Sequence, residues 1–293
     1  MQLATFSYLG LEQVGLITQD YARIVPLNQL LGIDAPATMI ELIEQWKDLG
    51  PRLQAVSVSP DTGLPVVDVG LVAPIPYPRR NIICLGKNYR DHVEEAAVLG
   101  GRTSGIPAVP VYFSKMVDRV RGSTESVPAH TAVTSMLDYE AELAVIIGRA
   151  GHDIDPGSVP EYIFGYSILN DISARDLQKS HDQWFKGKSL DGACCLGPVI
   201  VTADEIAYPP ALDIECSVNG ELRQKAVTSD LIFGITEIVS DFSRGLTLMP
   251  GDIISTGTPA GVGMGFRPFR WLKPGDVVEC RIEGIGTLRN TIE

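Results

Sequence analysis

Alternating prolines in the segment 74–78 constrain the fold of this 293-residue chain more than any other feature of its sequence. Proline cannot donate the backbone hydrogen bond that an inner strand requires, and it interrupts the interior of a helix. The sequence therefore predicts a stiff linker at residues 74–80. This linker would divide the chain into a small amino-terminal domain, residues 1–73, and a larger domain, residues 81–293.

Short strand-like runs and one helical stripe predict a small α+β domain before the linker. The runs lie at residues 3–8, 14–18 and 21–25. An apolar stripe at helical spacing predicts one helix, which is expected to end at Gly50-Pro51. The stripe consists of Met39, Leu42, Ile43, Trp46 and Leu49.

Residues 81–293 are predicted to be rich in β-strands, with few helices. Predicted strands lie at residues 81–85, 111–114, 139–147, 164–171, 199–202, 212–218, 252–256 and 276–282. Predicted helices lie at residues 88–99, 173–180 and 235–246. Asn219-Gly220, between two strands, is a strong signal for a hairpin turn. Long strands with occasional helices favour a mixed, β-rich α+β fold over a doubly wound α/β sheet.

An excess of acidic residues limits the partners that this chain can bind. It carries 36 acidic and 24 basic residues, a formal net charge of −12, and no basic cluster. Such a surface repels polyanions, so nucleic acid is not expected as a partner. No apolar run approaches the ~20 residues that span a bilayer, and the first residues lack the features of a signal peptide, so a cytoplasmic location without membrane contact is expected. The five cysteines show no CxxC spacing and are predicted to be buried thiols.

Two carboxylates, Glu140 and Glu142, interrupt an otherwise apolar predicted strand. Residues two apart in a strand share a face, so both side chains point the same way. Adjacent like charges repel each other unless water solvates them at a sheet edge or a cation lies between them. This pattern by itself leaves both interpretations open.

Asp171 supplies a third carboxylate, at the end of a second apolar strand and just before a predicted helix. Ser173 is predicted to cap that helix. Together with Glu140 and Glu142, the aspartate would form a ligand set of oxygens without Cys or His. Such a set favours a hard ion, Mg²⁺ or Mn²⁺, over zinc.

His92 and Glu95 are three residues apart on a predicted helix and therefore share one helical face. A carboxylate that binds one imidazole nitrogen fixes the tautomer and leaves the other nitrogen to abstract a proton. The alternative is a surface ion pair on a charged helix, which the spacing alone does not exclude.

Five motifs in a fixed order contain these residues. They are Gly86-Lys87-Asn88-Tyr89-x-Asp91-His92, Leu137-Asp138-Tyr139-Glu140-x-Glu142-Leu143, Asn170-Asp171-x-Ser173-Ala174-Arg175-Asp176, Gly187-Lys188-Ser189-x-Asp191 and Gly251-Asp252-Ile253-Ile254-x-Thr256-Gly257-Thr258-Pro259-x-Gly261-Val262-Gly263. In this order the motifs strongly resemble the fumarylacetoacetate hydrolase superfamily, from about residue 81 to residue 293. The small amino-terminal domain also resembles that of bacterial members of this length.

The resemblance implies a fold and a set of site residues. The implied fold is a β-sandwich roll catalytic domain of the fumarylacetoacetate hydrolase type, preceded by a small α+β domain. The implied ligands of Mg²⁺ or Mn²⁺ are Glu140, Glu142 and Asp171. The implied catalytic residues are His92, Glu95 and Lys188, with His92 and Glu95 as a dyad on a lid that orders over the substrate. The implied substrate contacts are Arg175, Gln178 and Thr258, with Arg175 supporting the site.

Glycines at positions 100, 101 and 105 suit the lid that the resemblance implies, and they equally suit a plain loop. The resemblance further implies a homo-oligomer, most simply a homodimer.

The implied substrate is a small anionic 2-oxo acid. Its carboxylate and keto oxygens would chelate the cation, which stabilises the negative charge that develops as a carbon–carbon bond breaks. Hydrolysis of an acylpyruvate, with water activated by His92 and Glu95 and a metal-bound pyruvate enolate as leaving group, is the first expectation. Oxaloacetate decarboxylation is the second, and isomerase, tautomerase or lyase reactions at the same site follow.

A protein that binds metal without catalysis, and that serves as an interaction module, is the alternative from a different functional class. The complete dyad, the three carboxylates and Lys188 argue against it.

Overall fold

Strands dominate the secondary structure of the protein. The computed structural model describes residues 1–56, 58–59, 61–98 and 105–293. The strands are β1 (Gln2–Tyr8), β2 (Leu11–Ile17), β3 (Arg23–Pro26), β4 (Leu64–Pro65), β5 (Gly70–Leu71), β6 (Ile82–Gly86), β7 (Val111–Lys115), β8 (Leu137–Asp138), β9 (Ala141–Ile147), β10 (Ile163–Asp171), β11 (Ser173–Ala174), β12 (Cys194–Thr202), β13 (Asp213–Val218), β14 (Glu221–Val227), β15 (Ile253–Ser255), β16 (Val277–Ile282) and β17 (Gly286–Thr291). The α-helices are α1 (Leu27–Leu31), α2 (Met39–Glu44), α3 (Trp46–Gln54), α4 (Arg90–Val98), α5 (Arg175–Ser180), α6 (Phe185–Lys188) and α7 (Ile235–Phe242). Within the described ranges, no helix is long and apolar enough to cross a bilayer.

One large sheet forms the centre of the fold. In the described part of the chain it contains eleven strands, in the order β4-β3-β2-β1-β12-β10-β9-β15-β6-β7, and β5 also pairs with β1. Strands β15 and β6 are parallel, whereas β9 and β10 pair antiparallel with their neighbours. All residues of β9, β10 and β12 are buried, and many are β-branched, which favours the strand conformation. These inner strands carry the carboxylates described below.

The proline-rich segment separates strands that belong to the same sheet. Residues 73–78 form neither strand nor helix, as the prolines predict. Leu3 in β1 nevertheless pairs with Ile200 in β12, so the sheet runs continuously across the predicted boundary. The division into domains at residues 74–80 stays a prediction, because strand pairing alone does not define the units that fold.

A second, smaller sheet packs on one face of the large sheet, with the order β14-β13-β16-β17. Asn219 and Gly220 have φ angles of 52° and 79° at the turn between β13 and β14, so the predicted hairpin is confirmed. Leu143 of β9 shares one buried cluster with Cys216 of β13, and all five cysteines are buried and free, as predicted. Two packed sheets with few helices confirm the predicted β-rich α+β fold.

Helices α2 and α3 cover the opposite face of the large sheet. Leu42 of α2 and Leu53 of α3 lie in one buried cluster with Ala144 and Ile146 of β9. Side chains therefore alternate in direction along β9. The odd-numbered ones point toward the small sheet and the even-numbered ones toward the helices. Glu142 belongs to the even-numbered set.

The predicted end of the first long helix at Gly50-Pro51 is wrong. The chain turns at Gln45, between α2 and α3, and both Gly50 and Pro51 lie inside α3. A Cβ atom on Gly50 would lie 2.9 Å from the indole of Trp46. The glycine therefore makes room for an aromatic ring and does not terminate the helix.

Candidate active site

Three carboxylates meet where the central strands β9 and β10 adjoin. Glu142 lies in β9, Glu140 immediately precedes that strand, and Asp171 ends β10. The Asp171 N–H donates to the Glu140 backbone oxygen at 2.9 Å. One oxygen from each carboxylate lies within 4.8 Å of one oxygen from each of the others. All three side chains are buried, so the alternative of a solvated sheet edge is wrong.

Two lysines bring positive charge to this cluster. Lys188 Nζ donates to Asp171 Oδ2 at 2.7 Å and also to Glu140 Oε2. Lys115 Nζ donates to Asp171 Oδ1 at 2.5 Å and to the Ile172 backbone oxygen at 3.0 Å. Both lysines are buried, so water cannot solvate their charges. The contacts with the carboxylates take the place of that solvation.

The three carboxylates differ in how readily they ionise. Burial raises the pKa of Glu142 to about 8, and the negative charges of Asp171 and Glu140 add to that rise. Burial acts on Glu140 in the same direction, but Arg175 and Lys188 outweigh it and hold the pKa of Glu140 below its ordinary value. Without a bound cation, Glu142 therefore keeps its proton at neutral pH. An all-oxygen cluster with one protonated member fits a hard divalent cation, which would displace that proton.

Arg175, the first residue of α5, connects three neighbours of the site. Its Nε donates to Asp138 Oδ2 at 2.9 Å, and its Nη1 donates to Gln178 Oε1 at 3.0 Å. Its Nη2 lies 2.7 Å from Glu140 Oε1. The arginine therefore holds Glu140 in position, and its contact with Gln178 brings two of the three predicted substrate-binding residues together.

The predicted cap of helix α5 is wrong. Ala174 occupies the cap position and makes no side-chain hydrogen bond there. Ser173 lies in β11, and its hydroxyl donates to the Asp171 backbone oxygen at 2.9 Å. The serine therefore fixes the end of β10 beside the carboxylate cluster.

His92 and Glu95 lie on helix α4, with His92 Nδ1 3.3 Å from Glu95 Oε2. His92 is only 8% exposed, and it lines the same cavity as Glu140 and Glu142. This burial does not fit the alternative of a solvated surface pair. Of the glycines that suit a lid, those at positions 100 and 101 lie outside the described residues.

A cavity of about 80 Å³ brings most of the predicted site residues together. The predicted residues that line it are His92, Glu140, Glu142, Arg175, Gln178, Lys188 and Thr258. The remaining lining residues are Leu85, Gly86, Lys87, Phe113, Trp184 and Met264. Glu95 and Asp171 do not line the cavity but contact residues that do, His92 and Lys188.

Thr258 is engaged within the protein. Its hydroxyl donates to the Ala141 backbone oxygen at 2.9 Å and accepts a hydrogen bond from Gln224 Nε2 at 2.8 Å. Because a hydroxyl has one proton, the predicted contact with substrate would have to use its remaining lone pair or its methyl group.

Sequence reasoning missed Lys115, Asp138 and Trp184 as parts of this site. Asp138 lies within a quoted motif but carries no predicted role, and Lys115 ends an apolar strand without a local pattern that marks it. For Lys115 the available signal was charge balance, because three buried acids require more positive charge than the one predicted lysine supplies.

Comparison with known proteins gives a match over the part of the chain that contains these site residues. Residues 81–293 match the family described as "Fumarylacetoacetate (FAA) hydrolase C-terminal". The chain is 51% identical over 225 residues to oxaloacetate tautomerase YisK from Bacillus subtilis, an alignment that covers 77% of this chain and 73% of that protein.

The solved structures that resemble the whole chain include two hydrolases. A fumarylacetoacetate hydrolase from psychrophilic Exiguobacterium antarcticum superposes with a TM-score of 0.85 at 39% identity, over 100% of this chain and 99% of that one. Maleylpyruvate hydrolase from Sphingobium sp. SYK-6, in complex with manganese(II) ion and pyruvate, superposes with a TM-score of 0.79 at 31% identity, over 100% and 98% of the two chains.

Proposed function

Because the chain belongs to the fumarylacetoacetate hydrolase family and is therefore an enzyme, we propose that it interconverts the keto and enol forms of a small 2-oxo dicarboxylic acid such as oxaloacetate. The proposed cofactor is Mg²⁺ or Mn²⁺, held by Glu140, Glu142 and Asp171. One observation carries the proposal: His92, the proposed base, lines the same cavity of about 80 Å³ as two of these carboxylates.

The reaction moves one proton between C3 of the acid and the oxygen on C2. A divalent cation beside that oxygen would withdraw electron density from it and acidify the C3 protons. His92 takes the proton from C3, and Glu95 holds Nδ1 of the imidazole so that the other nitrogen faces the substrate. The electrons of the C3–H bond form the C2–C3 double bond, and the oxygen on C2 gains the proton.

Positive side chains in the cavity lining would attract an anionic acid together with a bound divalent cation, because Arg175 and Lys188 are also paired with carboxylates of the cluster. The cations that line it are Lys87, Arg175 and Lys188. Since the chain as a whole carries a net charge of −12, attraction of an anion depends on such a local concentration of positive charge.

The relative from Bacillus subtilis, named an oxaloacetate tautomerase, supports this proposal. Hydrolysis of a short acylpyruvate is the second candidate, and similarity to the maleylpyruvate hydrolase supports it, because a His–Glu dyad can also activate water. The sequence alone favoured hydrolysis. We place tautomerisation first because the chain is 51% identical to the tautomerase and 31% identical to the maleylpyruvate hydrolase.

A substrate panel tests the proposal directly. The purified protein, with Mg²⁺ or Mn²⁺, is assayed for loss of the oxaloacetate enol by ultraviolet absorption. It is also assayed for pyruvate release from oxaloacetate, acetylpyruvate and fumarylpyruvate, and for acetoacetate release from fumarylacetoacetate. The highest kcat/KM is expected for enol loss. A higher kcat/KM for pyruvate release from any acylpyruvate would favour the hydrolase, and no metal-dependent turnover of any of these acids would reject both candidates.

A further inference from the structure

A loop rich in glycine, residues 261–265 and here termed the glycine loop, surrounds the carboxylate of Glu95. The Gly261 N–H points at both oxygens of this carboxylate, at 3.1 Å from Oε1 and 3.3 Å from Oε2. A Cβ atom built on Gly265 would lie 1.7 Å from Glu95 Oε1 and 2.3 Å from Glu95 Cδ. Any side chain at position 265 would therefore occupy the space that the carboxylate fills.

The same loop is anchored to the carboxylate cluster through Asp138. Asp138 Oδ1 accepts the Gly263 N–H at 2.6 Å, and Oδ2 accepts the Met264 N–H at 3.1 Å. Asp138 is completely buried and also accepts from Arg175, which lies 2.7 Å from Glu140. A continuous chain of contacts therefore leads from the proposed metal ligand Glu140, through Arg175, Asp138 and the glycine loop, to Glu95 of the dyad.

We propose that the glycine loop positions the His92–Glu95 dyad relative to the carboxylate cluster, and that Gly265 is the residue whose missing side chain permits this arrangement. Met264 of this loop lines the cavity, but Gly265 touches neither substrate nor reacting atoms in this proposal, so Gly265 is a positioning residue. The inference rests on the proposed function of His92 as the base.

Gly265 is suited to a test because a methyl group there displaces only a flexible group. The atoms nearest to the added Cβ all belong to the Glu95 side chain, whose end can rotate away without moving the backbone. Gly261 is unsuited, because its φ of +100° disfavours other residues and its Cβ would lie 1.9 Å from the Arg223 backbone oxygen. Gly234 provides the matched control, since it has a φ of −71° and its Cβ would meet nothing within 4 Å.

The experiment compares Gly265→Ala, Gly234→Ala, Glu95→Ala and the double variant Glu95→Ala/Gly265→Ala. Gly265→Ala is expected to lower kcat/KM by roughly 10- to 1,000-fold, as a displaced general base does, while Mn²⁺ affinity measured by calorimetry changes less than about twofold. Gly234→Ala is expected to behave as the wild type. The double variant should match Glu95→Ala, because the methyl group then fills the space left by the carboxylate.

Multiplicative losses in the double variant, or a wild-type kcat/KM in Gly265→Ala, would overturn the inference. The NMR signals of the His92 ring give a readout without turnover. They should shift in Gly265→Ala and stay in place in Gly234→Ala, and unchanged signals in Gly265→Ala would also overturn the inference. If the wild type turns over no 2-oxo acid, the proposed function fails, and the ring signals still decide whether the loop positions the dyad.

Discussion

Lys115 Nζ lies 2.5 Å from Asp171 Oδ1, and both side chains are completely buried. Removing one partner of a buried ion pair leaves an uncompensated charge and costs about 3–5 kcal/mol. Because Lys188 still pairs with Asp171, Lys115→Met is expected to lower the free energy of unfolding of the metal-free protein by up to about that amount, measured with urea. Lys225→Met breaks an exposed pair with Glu215 and should have a much smaller effect. Equal losses in the two variants would contradict this assignment.

Metal binding is expected to release a proton from Glu142. The pKa of this carboxyl is about 8, above its ordinary 4.5, so the group is mostly protonated at neutral pH. Because a ligand carboxylate must be ionised, the affinity for Mn²⁺ should rise up to about tenfold per pH unit until the pKa is reached. Calorimetry in buffers of different ionisation enthalpy counts the released protons. Glu142→Gln should bind Mn²⁺ weakly and release none, and a wild type that releases none at neutral pH would refute the prediction.

The raised pKa of Glu142 also sets how the stability of the metal-free protein depends on pH. Between pH 4.5 and about 8, the unfolded chain ionises this carboxyl while the folded protein keeps it protonated. The contribution of Glu142 to the free energy of unfolding therefore falls as the pH rises through this window. Thermal unfolding in EDTA should show a steeper decline in the wild type than in Glu142→Gln. Parallel declines would show that Glu142 is not responsible.

His92→Ala should separate the reactions that need a base from the one that does not. Base catalysis is worth roughly 100- to 10,000-fold in rate, so enol conversion and acylpyruvate hydrolysis should both fall by about that factor. Oxaloacetate decarboxylation needs no base to start it and should fall less. Asp171→Ala should abolish all three, whereas His152→Ala, at an exposed histidine, should not change them. Enol conversion that persists in His92→Ala would remove the dyad from the proposed mechanism.

Trp184 should restrict the size of the substrate. Its indole lies against Gly86, where an added Cβ would meet the ring at 2.3 Å, and it packs edge-on against Phe113 with 5.4 Å between ring centroids. Trp184→Ala is expected to raise the ratio of kcat/KM for fumarylpyruvate to that for oxaloacetate by about tenfold or more. Phe185→Ala, at the exposed neighbouring residue, is the control and should leave the ratio unchanged. An unchanged ratio in Trp184→Ala would mean that the indole does not limit the substrate.

The protein is expected to form a homodimer, as the family resemblance implies and as closed twofold symmetry favours. Sedimentation equilibrium at micromolar concentration should give twice the chain mass of 31.7 kDa. A single species at the chain mass would contradict the prediction.

Local patterns predicted which acidic and imidazole side chains lie together, and the family resemblance was needed to assign them to a site. Side-chain direction in a strand is a local property, so alternation alone predicted that Glu140 and Glu142 point the same way. Helical spacing likewise predicted that His92 and Glu95 share a face, and they lie 3.3 Å apart. The partnership between Lys115 and Asp171 was not predictable, because it depends on where the end of β7 lies relative to the end of β10.

Predictions from single turn residues failed where those residues make contacts that the residue type alone does not reveal. Gly50 was interpreted as the end of a helix, but it accommodates the Trp46 ring inside α3. Ser173 was interpreted as a helix cap, but its hydroxyl binds the backbone at Asp171. The role proposed for Gly265 was invisible for the same reason, since its neighbour Glu95 is 170 residues away in sequence.

The pairing of Leu3 with Ile200 has a consequence for synthesis on the ribosome. Strand β1 leaves the exit tunnel long before β12 exists, and at about 5–20 residues per second the delay is on the order of ten seconds or more. During that time β1 can pair with β2 and, at Phe6 and Ser7, with β5, but the part of its other edge at Gln2 and Leu3 stays open. An open edge beside an apolar side chain such as Leu3 invites pairing with other nascent chains. Nascent copies of this chain are therefore expected to associate more readily than those of a protein with only sequential strand pairing.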